Sequence, residues 1–335
     1  MTHILDHKHS EQLLNAINYY TDQFCTQFTI SVQDYNSIWM ARSKKELEWA
    51  YLEAVLRIVS SPAKGDITTL TFKATYNDAG KVIAYKVHNI PIDSKSKKAL
   101  ELLELAEKVI GKLDIDKASD FVKAVAIHDY IVQNSKYDEE MSRSSYTAHG
   151  VLSSGLASCL GYAETAGMLL SLAGVENRFV WAKSKMTASG THGFIKLVLG
   201  KEWWNLDCTV DDPMPDRANV VRHDFCLVTD DVAAQRYSWD KNRYPASPKG
   251  KRNLWYEKAD RVVKTQKELM TVVKTAAAKK LNPSVWVSVY DKDVFDFSFI
   301  KKLLGVKSPT VLMTTAAKGI KSRATGLTFL LGFED

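Results

Sequence analysis

The chain has 335 residues, of which 45% are hydrophobic and 25% charged, ordinary proportions for a globular protein. They exclude a disordered chain, and 16 glycines with 8 prolines exclude a collagen-like or low-complexity one. A net charge of +6, from 45 basic and 39 acidic side chains, is too mild to point to a nucleic acid, and no apolar run reaches the roughly 20 residues of a membrane helix.

In chain order, the first segment, 1–95, opens on a helical pattern. Ser10 can cap it, and Leu13, Leu14, Ile17 and Tyr20 recur at helical spacing. Phe28–Val32 alternates as a strand, and Lys44–Val59 reads as a second amphipathic helix. Leu70–Tyr76 and Val82–Val87 read as two strands joined through Asn77, Asp78, Ala79 and Gly80. The central segment, 96–262, begins with helical patterns over Ser94–Leu113 and Ala118–Gln133. The second carries His128, read as a packing or surface histidine. A third helix opens at Cys159 behind Ser158. Its small residues Gly161, Ala163, Ala166 and Gly167 imply that other backbone comes close, and Gly174 is a natural stop. Three strands follow, over Arg178–Lys183, His192–Leu199 and Glu202–Val210, the last two joined by a turn at Gly200 and Lys201. Loops and short elements run from Pro213 to about 262.

The last segment, 263–335, repeats the order of the first. Thr265–Leu269 resembles Ser10–Leu14, and Val285–Asp291 resembles Phe28–Asp34. A helical stretch follows each, and Leu327–Phe333 closes the chain as a strand. The expected organisation is a duplicated small α+β module on either side of a central domain.

The hairpin carries the chemistry. Pairing Leu199 with Glu202 places His192, Phe194, Lys196 and Val198 on one face with Trp203, Asn205, Asp207 and Thr209. Ile195, Leu197, Leu199, Trp204, Leu206 and Cys208 fall on the other, apolar face. His192 and Asp207 are then diagonal neighbours, roughly 7–8 Å apart at Cα and within side-chain reach. A slip of one residue would expose the apolar set, so burial holds this register. Cys159, in the first turn of its helix, meets unsatisfied N–H groups and the positive end of the helix dipole, which favour a thiolate. An imidazole that takes the thiol proton, a carboxylate that orients the imidazole, and the Cys159 amide aimed at an oxyanion are the parts of an acyl-transferring cysteine enzyme.

The other cysteines, Cys25, Cys208 and Cys226, have no partner that can be placed, and read as reduced, packed thiols. No zinc-type Cys/His spacing and no glycine-rich nucleotide loop occurs. No cofactor and no metal site is therefore expected.

Four stretches resemble the bacterial transglutaminase-like superfamily: Thr147–Leu152, Ser158–Ala163, Thr191–His192 and Lys201–Pro213. Ile127–Ile131, Lys136–Asp138 and His223–Asp230 are similar to its flanking segments, so the likeness runs over about 120–240. The resemblance implies a papain-like core, a Cys-bearing helix packed on an antiparallel sheet. It implies Cys159 as nucleophile, His192 as general base and acid, and Asp207 as orienter. The chain departs from the pattern at Phe194, Ile195 and His149, where a Trp, an Asn and a Tyr are common. The triad is intact, whereas the walls of the site differ. Tyr146 is the candidate second oxyanion donor. Asp211 and Asp212 read as caps of the turn before Pro213 rather than cation ligands.

The expected activity is attack on an amide bond of a peptide or protein through a Cys159 thioester, with hydrolysis favoured over transfer to an amine. The alternative is a binding or scaffold protein that retains a transglutaminase-like core, its flanking modules presenting surfaces to a protein partner. Met1–Lys8 lacks the apolar stretch of a signal peptide. A cytoplasmic location is the corresponding expectation, with a phage-associated or unconventionally exported protein as the alternative.

Overall fold

The computed structural model describes residues 4–5, 10–33, 35, 50–61, 67–185, 190–214, 216, 220–260, 262–263, 265–278, 284–287, 310–314 and 327–332. The first unit comprises β1 (Ile4–Leu5), α1 (Ser10–Thr21), β2 (Gln27–Gln33), β3 (Leu52–Ser61) and β4 (Ile67–Tyr76). Its sheet has the order β1-β2-β4-β3, with β1 parallel to β2 and the other pairs antiparallel. The apolar stripe of α1 is buried at Leu13, Leu14, Ile17 and Tyr20. Tyr20 stacks on Phe28 at 4.7 Å, and Phe28 on Phe72 at 5.2 Å.

Two expectations fail in this region. Residues 52–59 are strand, not helix, and 44–49 lie outside the described residues. The cause is a bulge: Leu52 pairs with Tyr76 while Ala54 pairs with Thr75, so Glu53 is extra. Leu52 and Val55 are both buried despite being three apart, a spacing that imitates a helix. Residues 82–87 are helix, not strand, within α2 (Asp78–His88). Asn77 caps α2 by accepting from the Gly80 N–H at 2.9 Å, and Ala79, Val82 and Ile83 form its buried stripe. The same Asn77 amide donates to the Ala50 carbonyl at 2.9 Å and to Glu164 Oε1 at 2.7 Å.

The central unit carries α3 (Lys97–Leu113), α4 (Asp120–Asn134), a 3-10 turn (Arg143–Tyr146), α5 (Ala148–Ser154) and α6 (Cys159–Leu172). A parallel two-residue bridge, β5 (Lys136–Tyr137) with β6 (Leu156–Ala157), precedes α6. α2 packs on α3 and α6, so by its contacts it joins this unit. The sheet then forms from β7 (Asn177–Ser184), β8 (Thr191–Leu199), β9 (Glu202–Leu206), β10 (Cys226–Val228) and β11 (Tyr237–Ser238), in the antiparallel order β10-β9-β8-β7-β11. α7 (Cys208–Asp211) follows β9, and α8 (Asp230–Ala233) and α9 (Leu254–Lys258) fall among the later loops.

The hairpin register is the expected one: Leu199 pairs with Glu202, Leu197 with Trp204 and Ile195 with Leu206. α6 lies against β8 on the Ile195 and Leu197 side. The opposite side, which carries His192, Lys196 and Asn205, is buried as well. Val180, Phe194, Phe225, Tyr237 and Tyr256 bury it, around a Lys196–Asp230 ion pair. β9 stops at Leu206, four residues short of expectation, because Asp207 turns the chain into α7.

A third sheet follows from β12 (Val262–Val263), α10 (Gln266–Ala278), β13 (Ser284–Val287), β14 (Thr310–Thr314) and β15 (Leu327–Gly332). Its order, β12-β13-β15-β14, and its strand directions repeat those of the first sheet. The helical stretch expected between β13 and β14 lies outside the described residues.

Candidate active site

Ser158 is fully buried, and its hydroxyl accepts from the Gly161 N–H at 3.4 Å, which starts α6 at Cys159. The N–H and Oγ of Ser158 both donate to the Ser145 carbonyl, at 2.8 and 3.2 Å. That carbonyl fixes Gly161 as well, since a Cβ there would lie 2.0 Å from it. The small residue foreseen in this turn is thus where the 3-10 turn presses on the helix start. Cys159 is partly exposed, and its amide is one of those without a partner inside the helix.

His192 stands on β8, 7% exposed. Its Nε2 lies 2.8 Å from Asp207 Oδ2, which leaves Nδ1 as the ring nitrogen available to the thiol. Burial opposes charging the imidazole, but Asp207, through charge and hydrogen bond, and Cys159, likewise through both, outweigh it and lift the His192 pKa to about 9. Burial likewise opposes ionising Asp207, and His192, with the hydroxyl of Tyr237, reverses this and holds the carboxyl below its ordinary value. The structure thus brings His192 and Asp207 together and sets Cys159 beside the imidazole.

Asp207 reaches His192 by a route different from the one alternation implied. It is the N-cap of α7, with Oδ1 accepting from the Thr209 N–H at 3.1 Å and Oδ2 turned to the imidazole. Capping therefore fixes the rotamer that orients His192.

Sequence reasoning missed Tyr237. Its ring lies parallel to that of His192 at 4.2 Å, with 9° between the planes, and its hydroxyl donates to Asp207 Oδ2 at 2.7 Å. It thus holds both members of the pair. Tyr237 belongs to a two-residue strand inside the irregular stretch after Pro213, and no periodicity marks it.

Tyr146 ends the 3-10 turn and is 36% exposed. Burial, then the neighbouring Cys159 and Tyr146, raises the Tyr137 pKa, and its hydroxyl donates to Met141 Sδ at 3.7 Å. Asp211 and Asp212 do not cap the turn before Pro213. Asp211 accepts from the Phe225 N–H at 2.9 and 3.0 Å and faces His128, and Asp212 accepts from the Tyr162 hydroxyl. His128 is not a surface histidine; it is fully buried among hydrogen-bond partners. His149 lies 3.1 Å from Glu101. Cys208 and Cys226 are buried thiols whose pKa burial raises, and all four cysteines are unpaired.

A partly exposed thiol at a helix start, beside a buried imidazole–carboxylate pair on an antiparallel sheet, has the layout of a cysteine acyl-transfer enzyme. Residues 104–208 match the transglutaminase-like superfamily, so the chain carries a domain of that superfamily. Among solved structures, the chain is similar to one described as a TGase, at 15% identity and a TM-score of 0.32, over 65% of this chain and 61% of that one. This chain thus spans less than two thirds of that protein's length. It is also similar to a Cytophaga hutchinsonii protein provisionally assigned as a cysteine protease, at 12% identity and a TM-score of 0.29, over 51% of this chain and 70% of that one. Legionella pneumophila LapG is similar at 14% identity and a TM-score of 0.25, over 39% and 70%. No curated protein matches the chain in sequence. Among the described residues, no helix is long and apolar enough to cross a membrane.

Proposed function

We propose that the protein is a cysteine enzyme that cleaves an amide bond of a peptide or protein through a thioester on Cys159. The observation that carries this reading is the buried His192–Asp207 pair, 2.8 Å apart, next to the thiol at the start of α6. His192, kept charged by Asp207, pairs with the Cys159 thiolate. The sulfur attacks the carbonyl carbon, and the Cys159 N–H donates to the oxyanion. The imidazolium gives its proton to the leaving amine, the C–N bond breaks and the thioester remains. Water, deprotonated by the now neutral His192, attacks the thioester carbonyl, the C–S bond breaks, and release of the acid restores the thiolate–imidazolium pair. An amine in place of water would make the protein a transglutaminase, but the superfamily likeness favours water. Tyr137 and Tyr146 are the candidates for the second oxyanion donor, and Tyr237 positions the His192–Asp207 pair. The terminal sheets supply surfaces for a protein partner or substrate.

The test is incubation of the native chain and a Cys159→Ala variant with a peptide mixture, with and without a primary amine, read by mass spectrometry. New termini formed by the native chain alone are expected. Amine adducts in place of new termini would move the assignment to transfer. Absence of both, with Cys159 unreactive to thiol probes, would favour a scaffold that keeps the core without its chemistry.

A further inference from the structure

The second cluster of titratable groups lies around α4. His128 and Asp129 are adjacent on α4, and His223 arrives from the stretch before β10, 94 residues beyond Asp129. Both imidazoles turn a nitrogen to one oxygen. His128 Nδ1 and His223 Nε2 each lie 2.8 Å from Asp129 Oδ1, and one ligand atom from each of the three residues falls within 4.8 Å of the others. The side chain of His128 is 0% exposed and that of His223 8%, whereas Asp129 is 32% exposed and opens the cluster to solvent.

We propose that His128, Asp129 and His223 bind a divalent metal ion of the zinc class. Two imidazoles and one carboxylate are a donor set that zinc accepts, with a fourth position left to water. The convergence of three such atoms is only part of the case, for the ligands are also held from behind. His128 Nε2 lies 3.1 Å from Asp211 Oδ2, the carboxylate–imidazole support that fixes a metal-binding histidine's tautomer. Asp211 is itself anchored by the Phe225 N–H. The His223 ring lies flat on Trp255, at 3.7 Å with 8° between planes, and the His223 carbonyl accepts from Asn253 Nδ2 at 2.7 Å. Zinc distances of about 2.0–2.1 Å separate neighbouring tetrahedral ligand atoms by somewhat more than a hydrogen bond does. The two nitrogens, each 2.8 Å from the shared oxygen, therefore need only a small shift away from it, in which the ion replaces the shared protons. The site uses none of Cys159, His192 and Asp207. It ties α4 to the segment between α7 and β10.

The test uses the full chain. It is freed of metal with a chelator, then titrated with zinc and, separately, with cobalt as a spectroscopic stand-in. One equivalent per chain is expected, with visible cobalt bands of nitrogen–oxygen ligation and no sulfur-to-cobalt charge transfer. Zinc in 100-fold excess over its dissociation constant should raise Tm by about 5 °C. His223→Gln and Asp129→Asn should each weaken binding at least about 100-fold, and Asp211→Asn, which removes only the support, by about 10–100-fold. If a variant fails to fold, the stoichiometry and cobalt spectrum of the native chain still decide. No ion bound at micromolar free zinc would overturn the proposal. So would binding untouched by His223→Gln and Asp129→Asn, or a cobalt–thiolate band, which would move the ion to Cys159 or to Cys226 beside His128.

Discussion

Two buried imidazoles lean on opposite ends of one helical turn. Asp207 caps the start of α7 and holds His192, while Asp211 ends it and holds His128. What differs is the far side of each ring. His192 meets a partly exposed thiol there, and His128 meets a carboxylate shared with a second imidazole. On the readings proposed above, the same imidazole–carboxylate pair would move protons in one place and collect ligands in the other. Its neighbours, rather than its own geometry, decide which.

That comparison breaks most visibly at the thiol. Cys159→Ala or His192→Ala should each lower turnover by about 10⁴-fold or more, read with whichever peptide the native chain cleaves. Asp207→Asn keeps the shape but loses the charge, and should cost about 10²–10⁴-fold in kcat. It should also shift the pH profile. With His192 raised to about 9, the native activity holds up to that pH and falls above it as the imidazolium loses its proton. Without the Asp207 charge, that limb moves to lower pH. Stability carries the same sign: the contribution from charged His192 is complete below about 6.5, its unfolded value, and is lost as pH rises through about 9.

Tyr237→Phe removes one donor to Asp207 and keeps the ring stacked on His192. A loss of about tenfold in kcat and about 1 kcal/mol in unfolding free energy is expected, with KM unchanged. Losses in both kcat and Tm with an unmoved pH profile would reduce Tyr237 to a packing residue. Smallest of all is the expected crosstalk. Stripping metal should lower Tm while changing the rate of Cys159 alkylation by less than about twofold, as for independent sites. A larger change would mean that α7 transmits strain between the clusters.

Much of this was legible in the residues. The hairpin register followed from the Gly200–Lys201 turn and from the apolar set Ile195, Leu197, Trp204 and Leu206, which admits one pairing. The start of α6 followed from Ser158 and the small residues behind it. The failures have local causes. The bulge at Glu53 gave a strand helical spacing, and Asn77 to Gly80, read as a turn between two strands, is instead the capped start of α2. Tyr237 and the His128 cluster were illegible for a different reason. Their partners lie 30, 83 and 94 residues away, on short elements with no period of their own.

The most direct test of the paired thiol and imidazole is the rate of Cys159 alkylation against pH, in the native chain and in His192→Ala. The account predicts fast labelling of the native chain that persists into mildly acidic pH, and a loss of at least about tenfold there in the variant. Slow labelling with the same pH dependence in both would mean that His192 does not activate Cys159, and would contradict the assignment.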